Sequence, residues 1–192
     1  MTKARDKILV AARRIHAQHG LDALSLRRVA ELVGVTPMAI YRHFDDKEAL
    51  IDALVAEGFA LWEVRLARAA RARTPRKRVE AGLMAYAEFA IDEPRLFELM
   101  FLVPRRRVPR APQSLERSES KAFSAMIAAV QEAMDRGELV RGKPAETILL
   151  AWSTAHGLIA LHFSGRFGGD ESVFRAAYSG TVRQLLGLLS PA

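Results

Sequence analysis

Between Thr36 and Lys47 the chain gathers a hydroxyl, a phenol, a guanidinium, an imidazole and an ammonium, on Thr36, Tyr41, Arg42, His43 and Lys47. Donors of these kinds suit phosphate oxygens. Slender groups, Pro37, Met38 and Ala39, come first, so the start of this stretch can approach a surface closely. Elsewhere the candidates for chemistry fall short. "GELVRGKP" (137–144) nearly spells a phosphate-binding loop, but Pro144 stands where a metal-holding hydroxyl is required and no strand precedes it. Ser153 and His156 are helix neighbours with no orienting acid or oxyanion hole marked beside them. There is no H-E-x-x-H, no G-x-S-x-G and no Gly-rich dinucleotide fingerprint. With no cysteine there is no thiol nucleophile or thiolate metal site. We therefore expect a protein that is not an enzyme and carries no cofactor and no metal.

The elements that must position the opening cluster are helices. Strand signals are nearly absent: the sequence has no alternating β-branched runs and no Asn-Gly hairpin. A first helix is predicted over 3–19, with Ile8, Ala12, Ile15 and His19 on one stripe and Gly20 as its stop. Ser25 caps a second, over 26–33, which buries Leu26, Val29, Ala30 and Val33 and ends at Gly34. Thr36 and Pro37 open a third, which runs to Phe44 and docks through Ile40 and Phe44. Asp45, with Glu48 three residues on, caps a fourth that runs to about Arg73. Its apolar stripes are Leu50, Leu54, Leu61 and Ile51, Val55, Trp62. Pro75 and Pro94 begin a fifth and a sixth. The segment 103–114, with three prolines and four arginines, reads as a mobile loop. Helices over about 115–136, 144–164 and 171–189 complete an all-α chain of nine helices. We divide it into a domain over 1–46 and a larger helical domain over 47–192. Three short helices cannot bury enough surface alone, so the first domain must lean on the fourth helix.

Composition constrains partners only loosely. The chain has 192 residues, 29 Lys+Arg against 22 Asp+Glu, and a net charge of +7, which attracts polyanions at long range. Seven basic and no acidic residues lie in 65–78; the default reading of that run is a solvated basic face. The uncharged stretch 147–165 is long enough to span a bilayer, but its Ser153, His156 and His162 mark a helix buried within protein instead. The absence of cysteine and of an apolar leader fits a cytoplasmic protein with no membrane association.

The second and third predicted helices, short and joined through Gly34, form a helix-turn-helix, whose second helix enters the DNA major groove. Periodicity alone leaves open a packed turn with exposed polar residues. The residue pattern goes further. "LSLRRVAELVGVTPMAIYRHFDDKEAL" resembles the helix-turn-helix of the TetR family of bacterial repressors. The matching positions are Ser25, Arg27, Val29-Ala30, Gly34-Val35, Thr36, the run Ile40 to Phe44, and Lys47. The resemblance covers about 1–55 and implies a DNA-binding regulator. It implies that Thr36, Tyr41, His43 and Lys47 hold the DNA backbone. Ser25, Arg27 and Arg28 flank it, and Pro37, Met38, Ala39 and Arg42 face bases or sit beside them. Arg28 departs from the acidic residue often found there and adds a phosphate contact. Pro37 and Met38 sit where the family varies to choose its operator.

The rest of the chain is then expected to bind a ligand and pair two copies. "AWSTAHGLIAL" resembles, through Trp152, His156 and Gly157, the WHG type of C-terminal domain found in a branch of the family. Trp152 and His156 share a helix face, and serve as core partners or as polar tips in a pocket. Trp62, Met84, Tyr86, Phe89, Phe97, Met100, Phe101, Phe123, Met126 and Met134 offer adaptable apolar walls, which favour a small, mostly apolar ligand. Ala151, Ser153, Ala155, Gly157 and Ala160 allow close helix approach. The last helix carries Phe174, Tyr178, Thr181, Leu185, Leu188 on one stripe and Val182, Leu186, Leu189 on another; one stripe serves the core and one a partner chain. The sequence-level reading is a homodimeric, ligand-responsive repressor of a pseudo-palindromic double-stranded operator. An orphan regulator without an effector, or a helical interaction protein that does not bind DNA, stand as alternatives.

Overall fold

A computed structural model describes residues 3–104 and 121–191. Among these there are nine α-helices and no strand. They are α1 (Lys3–His19), α2 (Leu26–Val33), α3 (Pro37–Tyr41), α4 (Lys47–Ala69), α5 (Pro75–Asp92), α6 (Pro94–Phe101), α7 (Lys121–Asp135), α8 (Pro144–Phe163) and α9 (Glu171–Leu188). The Pro/Arg segment beyond Pro104, and the expected start of the seventh helix at 115, lie outside the described residues. Two compact units emerge, Met1–Leu61 with Glu93–Pro104, and Trp62–Asp92 with Arg105–Ala192. The first unit therefore takes in α6 and most of α4, beyond the expected 1–46.

In the first unit α2 packs on both α1 and α3. Ile8, Ala12, Ile15, Leu26, Val29, Ala30, Ile40 and Phe44 build its core. The sequence put His19 on the buried stripe of α1; His19 is exposed, and His16 is buried in its place. The reason is a partner far along the chain: His16 Nε2 lies 3.0 Å from the Arg95 carbonyl of α6. A carbonyl only accepts, so Nε2 carries the proton, which leaves the buried Nδ1 without a partner. Val33, expected inside, is half-exposed. Gly20 and Gly34 end α1 and α2 at φ +80° and +76°, a conformation that suits glycine. The third helix is shorter than expected: after Tyr41 the amides of His43 and Phe44 both turn back onto the Ile40 carbonyl. Capping of α4 falls one residue later than predicted, since Asp46 Oδ1, not Asp45, accepts from the Ala49 amide at 2.7 Å. Adjacent aspartates are equivalent to a pattern rule, and only the chain's turn decides between them. At Gly58, α6 comes so close that a Cβ would collide with Met100 Sδ and lie 3.2 Å from Leu96 Cδ1.

In the second unit α5 is central, touching α7, α8 and α9. Its buried residues, Val79, Leu83, Tyr86, Ala87, Phe89 and Ala90, fall on one broad stripe of the helix. Each fully buried large side chain contributes about 1.5–3 kcal/mol. Tyr178 of α9 is 1% exposed and its hydroxyl donates to the Leu83 carbonyl at 2.7 Å. The basic run is partly structural. Arg65 pairs with Asp92 at 2.6 Å, Arg78 with Glu132 at 2.6 Å, and Arg76 Nε donates to Ser190 Oγ at 3.1 Å. The Arg78 guanidinium holds the Glu132 carboxyl below its ordinary pKa. The rest of the run, Arg68, Arg71, Arg73 and Lys77, is exposed. No helix among the described residues is long and apolar enough to cross a membrane. Helix α8 holds most of the uncharged stretch expected to be buried on most sides, yet it buries only Ile148, Ala151, Ala155 and Ile159 within the chain.

Candidate nucleic-acid interface and aromatic cluster

Ser25 begins α2 in an extended conformation, and its Oγ accepts from the Arg28 amide at 3.2 Å. That cap fixes where Arg27 and Arg28 leave the helix, and both are exposed. Arg27 Nε reaches Glu31 at 3.2 Å, with the two side chains 84% and 63% exposed. A pair so solvated contributes little, so a phosphate can displace Glu31 at small cost. Thr36 precedes α3 at φ −72°, ψ 150°, but its side chain makes no capping hydrogen bond. Its hydroxyl is exposed and not committed to α3.

Ile40, fully buried, and Phe44, 2% exposed, anchor the segment. That anchoring turns Pro37, Met38, Tyr41 and Arg42 outward, with Met38 70% and Tyr41 50% exposed. Ala39 and His43 are half-buried at the flanks. Lys47 is half-buried, and its ammonium donates to the Leu21 carbonyl at 3.1 Å. It thus ties the start of α4 to the α1–α2 connection, a structural task that its spacing in the sequence did not reveal. One short surface therefore carries hydroxyl, phenol and guanidinium groups around an apolar tip.

The residues expected to line a pocket divide between the units. Phe97, Met100 and Phe101 belong to the first, where Phe101 lies edge-on to Phe59 with centroids 5.8 Å apart. Trp62, Met84, Tyr86, Phe89, Phe123, Met126, Met134, Trp152 and His156 belong to the second. There Trp62 meets Tyr86 at 5.5 Å and Phe89 at 6.0 Å, Phe123 meets Trp152 at 6.2 Å, and Trp152 meets His156 at 5.8 Å, centroid to centroid. Met126 instead fills the close crossing with Gly82, where a Cβ would lie 2.6 Å from its Sδ.

A polar chain threads this cluster. Tyr86 Oη lies 3.1 Å from His156 Nδ1, and the Trp152 indole also hydrogen-bonds Tyr86. Burial raises the Tyr86 pKa, so the phenol keeps its proton; burial lowers that of His156, which favours neutral imidazole. The indole N–H can only donate. The consistent sense is Trp152 N–H to Tyr86 oxygen, and Tyr86 O–H to His156 Nδ1. Spacing found Trp152 and His156; their partner on α5 needed the fold.

The expected pairing face needs correction. Ala151, Ala155, Phe174, Tyr178, Val182 and Leu186 are buried in the chain's own core and have no surface to offer another copy. Ala160, Thr181, Leu185 and Leu189 are half-buried. The open face lies on the other side: Leu150, Leu161, Val173 and Leu188 are 49%, 46%, 50% and 76% exposed. Beside them Gly157, Gly180 and Gly187 have nothing within 4 Å of where a Cβ would stand. The α8 positions 150, 154, 157 and 161 repeat at helical spacing, a signal present in the sequence but weaker than the alanine stripe beside it. Among the described residues no group of three or more His, Asp or Glu is placed to hold a metal ion.

Comparison with known proteins places these features. A family model described as bacterial regulatory proteins, tetR family, matches residues 8–54. A second, the tetracyclin repressor-like C-terminal domain, matches residues 79–185; the WHG resemblance is not what that match carries. The transcriptional repressor AcnR of Corynebacterium glutamicum is 44% identical over 59 residues, 31% of this chain and 31% of that protein, so the match spans about a third of its length. The transcriptional repressor BepR of Brucella suis is 29% identical over 196 residues, 96% of this chain and 92% of its own. A solved structure of a protein of unknown function from Rhodococcus sp. RHA1 has a TM-score of 0.84 at 27% identity and covers 100% of this chain and 97% of that one. With an exposed helix-turn-helix at the matched N-terminal positions and more than half of the chain matched by the C-terminal model, this protein belongs to the tetR family of bacterial regulatory proteins.

Proposed function

We propose that this protein is a dimeric, ligand-responsive DNA-binding regulator that acts in the cytoplasm as a repressor of a pseudo-palindromic operator. The observation that carries the reading is the anchored α3 segment: buried Ile40 and Phe44 hold Thr36, Met38, Tyr41 and Arg42 outward as one small surface. Backbone phosphates are taken by Thr36, Tyr41, His43 and Lys47, flanked by Ser25, Arg27 and Arg28. Two copies pair through the open faces of α8 and α9 and thereby present two such surfaces to symmetric half-sites.

The effector is a mostly apolar molecule bound at the aromatic cluster of the second unit, with the Trp152–Tyr86–His156 chain supplying its polar contacts. Helix α4 contributes residues to both units. Ligand-dependent repositioning of α4 is therefore the coupling route, and it requires different effector affinities in the DNA-bound and free states. The test is fluorescence-anisotropy titration against DNA flanking the protein's own gene, with light scattering for mass. Binding to one segment as a dimer is expected, weakened by apolar compounds that raise the melting temperature. Binding unaffected by every such compound would leave an orphan regulator, and no binding to any duplex would remove the DNA-binding reading.

A further inference from the structure

The first turn of α3 offers almost nothing that can hydrogen-bond a base. Pro37 has no amide hydrogen, and Pro37, Met38 and Ala39 have no polar side-chain atom. Met38 is 70% exposed, and Val35 and Tyr41, three residues to either side of it in the chain, are half-exposed at 40% and 50%. A single exposed apolar side chain is ordinary. An apolar tip on the one segment held outward by buried Ile40 and Phe44, with polar groups confined to its ends, is a different matter. In the major groove the one methyl group on any base edge is the 5-methyl of thymine; the other bases present donors, acceptors and at most bare C–H positions there. A thioether tip set against a cytosine amino group or a guanine carbonyl would strip water from that group without replacing its hydrogen bond.

Resting on the DNA-binding reading above, we propose that Met38, supported by Pro37 and Ala39, selects its operator by packing against thymine 5-methyl groups, one at the same position in each half-site. Arg42 and Thr36, at the ends of the segment, do not take part in that selection. Burying one methyl group changes affinity by about fourfold, and two symmetric contacts by about fifteenfold.

The experiment starts with selection of duplexes that the full-length protein retains from a random library. Each thymine of the selected half-site is then replaced by deoxyuridine, in both half-sites together, which removes only the methyl group and keeps every base pair. The expected result is a loss of about fifteenfold at one symmetric position and less than twofold at the others. In Met38→Ala, an exposed substitution that leaves the core untouched, that thymine–uracil difference should fall to less than threefold while duplex binding persists. Normal binding with no uracil-sensitive thymine would overturn the methyl-reading proposal and leave the DNA-binding reading standing. So would a uracil effect of unchanged size in Met38→Ala. If selection retains no duplex, the DNA-binding reading itself fails, and this inference with it.

Discussion

Replacing Tyr86 by Phe removes one oxygen from the centre of the second unit. Tyr86 is 3% exposed, and its hydroxyl joins His156 Nδ1, 3.1 Å away, to the Trp152 indole. The ring and its contacts with Trp62 remain, so no cavity term arises. What changes is that a donor and an acceptor lose their shared partner. Each stranded polar group costs about 1–3 kcal/mol when buried. His156 and Trp152 are only half-buried, so the low end applies. Removing the buried hydroxyl itself returns part of that. The net is about 1.5 kcal/mol, or about 3–6 °C in melting temperature for a chain of this size.

The pH dependence sharpens the test. Burial lowers the His156 pKa in the fold below its ordinary 6.5. The unfolded chain therefore binds more protons near that pH, and the wild type loses stability as pH falls through about 6.5 toward the folded value. The phenol donates to the neutral imidazole, so without it the neutral form is less favoured and the acid-side loss is shallower. Urea unfolding at pH 7.5 and 5.5 should show the gap between wild type and Tyr86→Phe narrowing at the lower pH. Using the gap removes the contribution of the other histidines. A variant as stable as wild type, or a gap independent of pH, would refute the hydrogen-bond chain.

Three further outcomes are expected. Gly58→Val gains helix propensity of under 1 kcal/mol, yet its side chain has no room against Leu96 and Met100; overpacking of about 1–3 kcal/mol wins, and thermal melts should show destabilisation rather than gain. Lys47→Met should weaken operator binding by a similar factor for all sequences and reduce the salt slope by about one, measured by anisotropy across a salt series; an unchanged slope would mean that the Leu21 contact is its whole role. Leu161→Asp with Leu188→Asp places two carboxylates on the open face of α8 and α9, and should yield a monomer by light scattering with helical content intact; a persistent dimer would move the interface elsewhere.

Local chemistry wrote much of this protein into its sequence. Gly20, Gly34, Ser25, Pro37, Pro75, Pro94 and Pro144 punctuate the chain, and helix boundaries follow backbone dihedral preferences that need no tertiary partner. The Thr36-to-Lys47 surface was legible for the same reason: on a short helix, burying Ile40 and Phe44 fixes what faces out. Tertiary structure decided whatever depends on residues distant in the chain. His16 rather than His19 is buried because Arg95, far along the sequence, supplies a carbonyl. Lys47 has a second task because Leu21 lies within its reach. Tyr86 rather than any other aromatic completes the Trp152–His156 pair because α5 sits among α7, α8 and α9. The two apolar stripes of α9 were both visible, but periodicity is blind to which faces inward. Only packing against α5 and α8 buries Phe174, Tyr178, Val182 and Leu186 and leaves Leu188 and the glycines of the opposite face open to a partner.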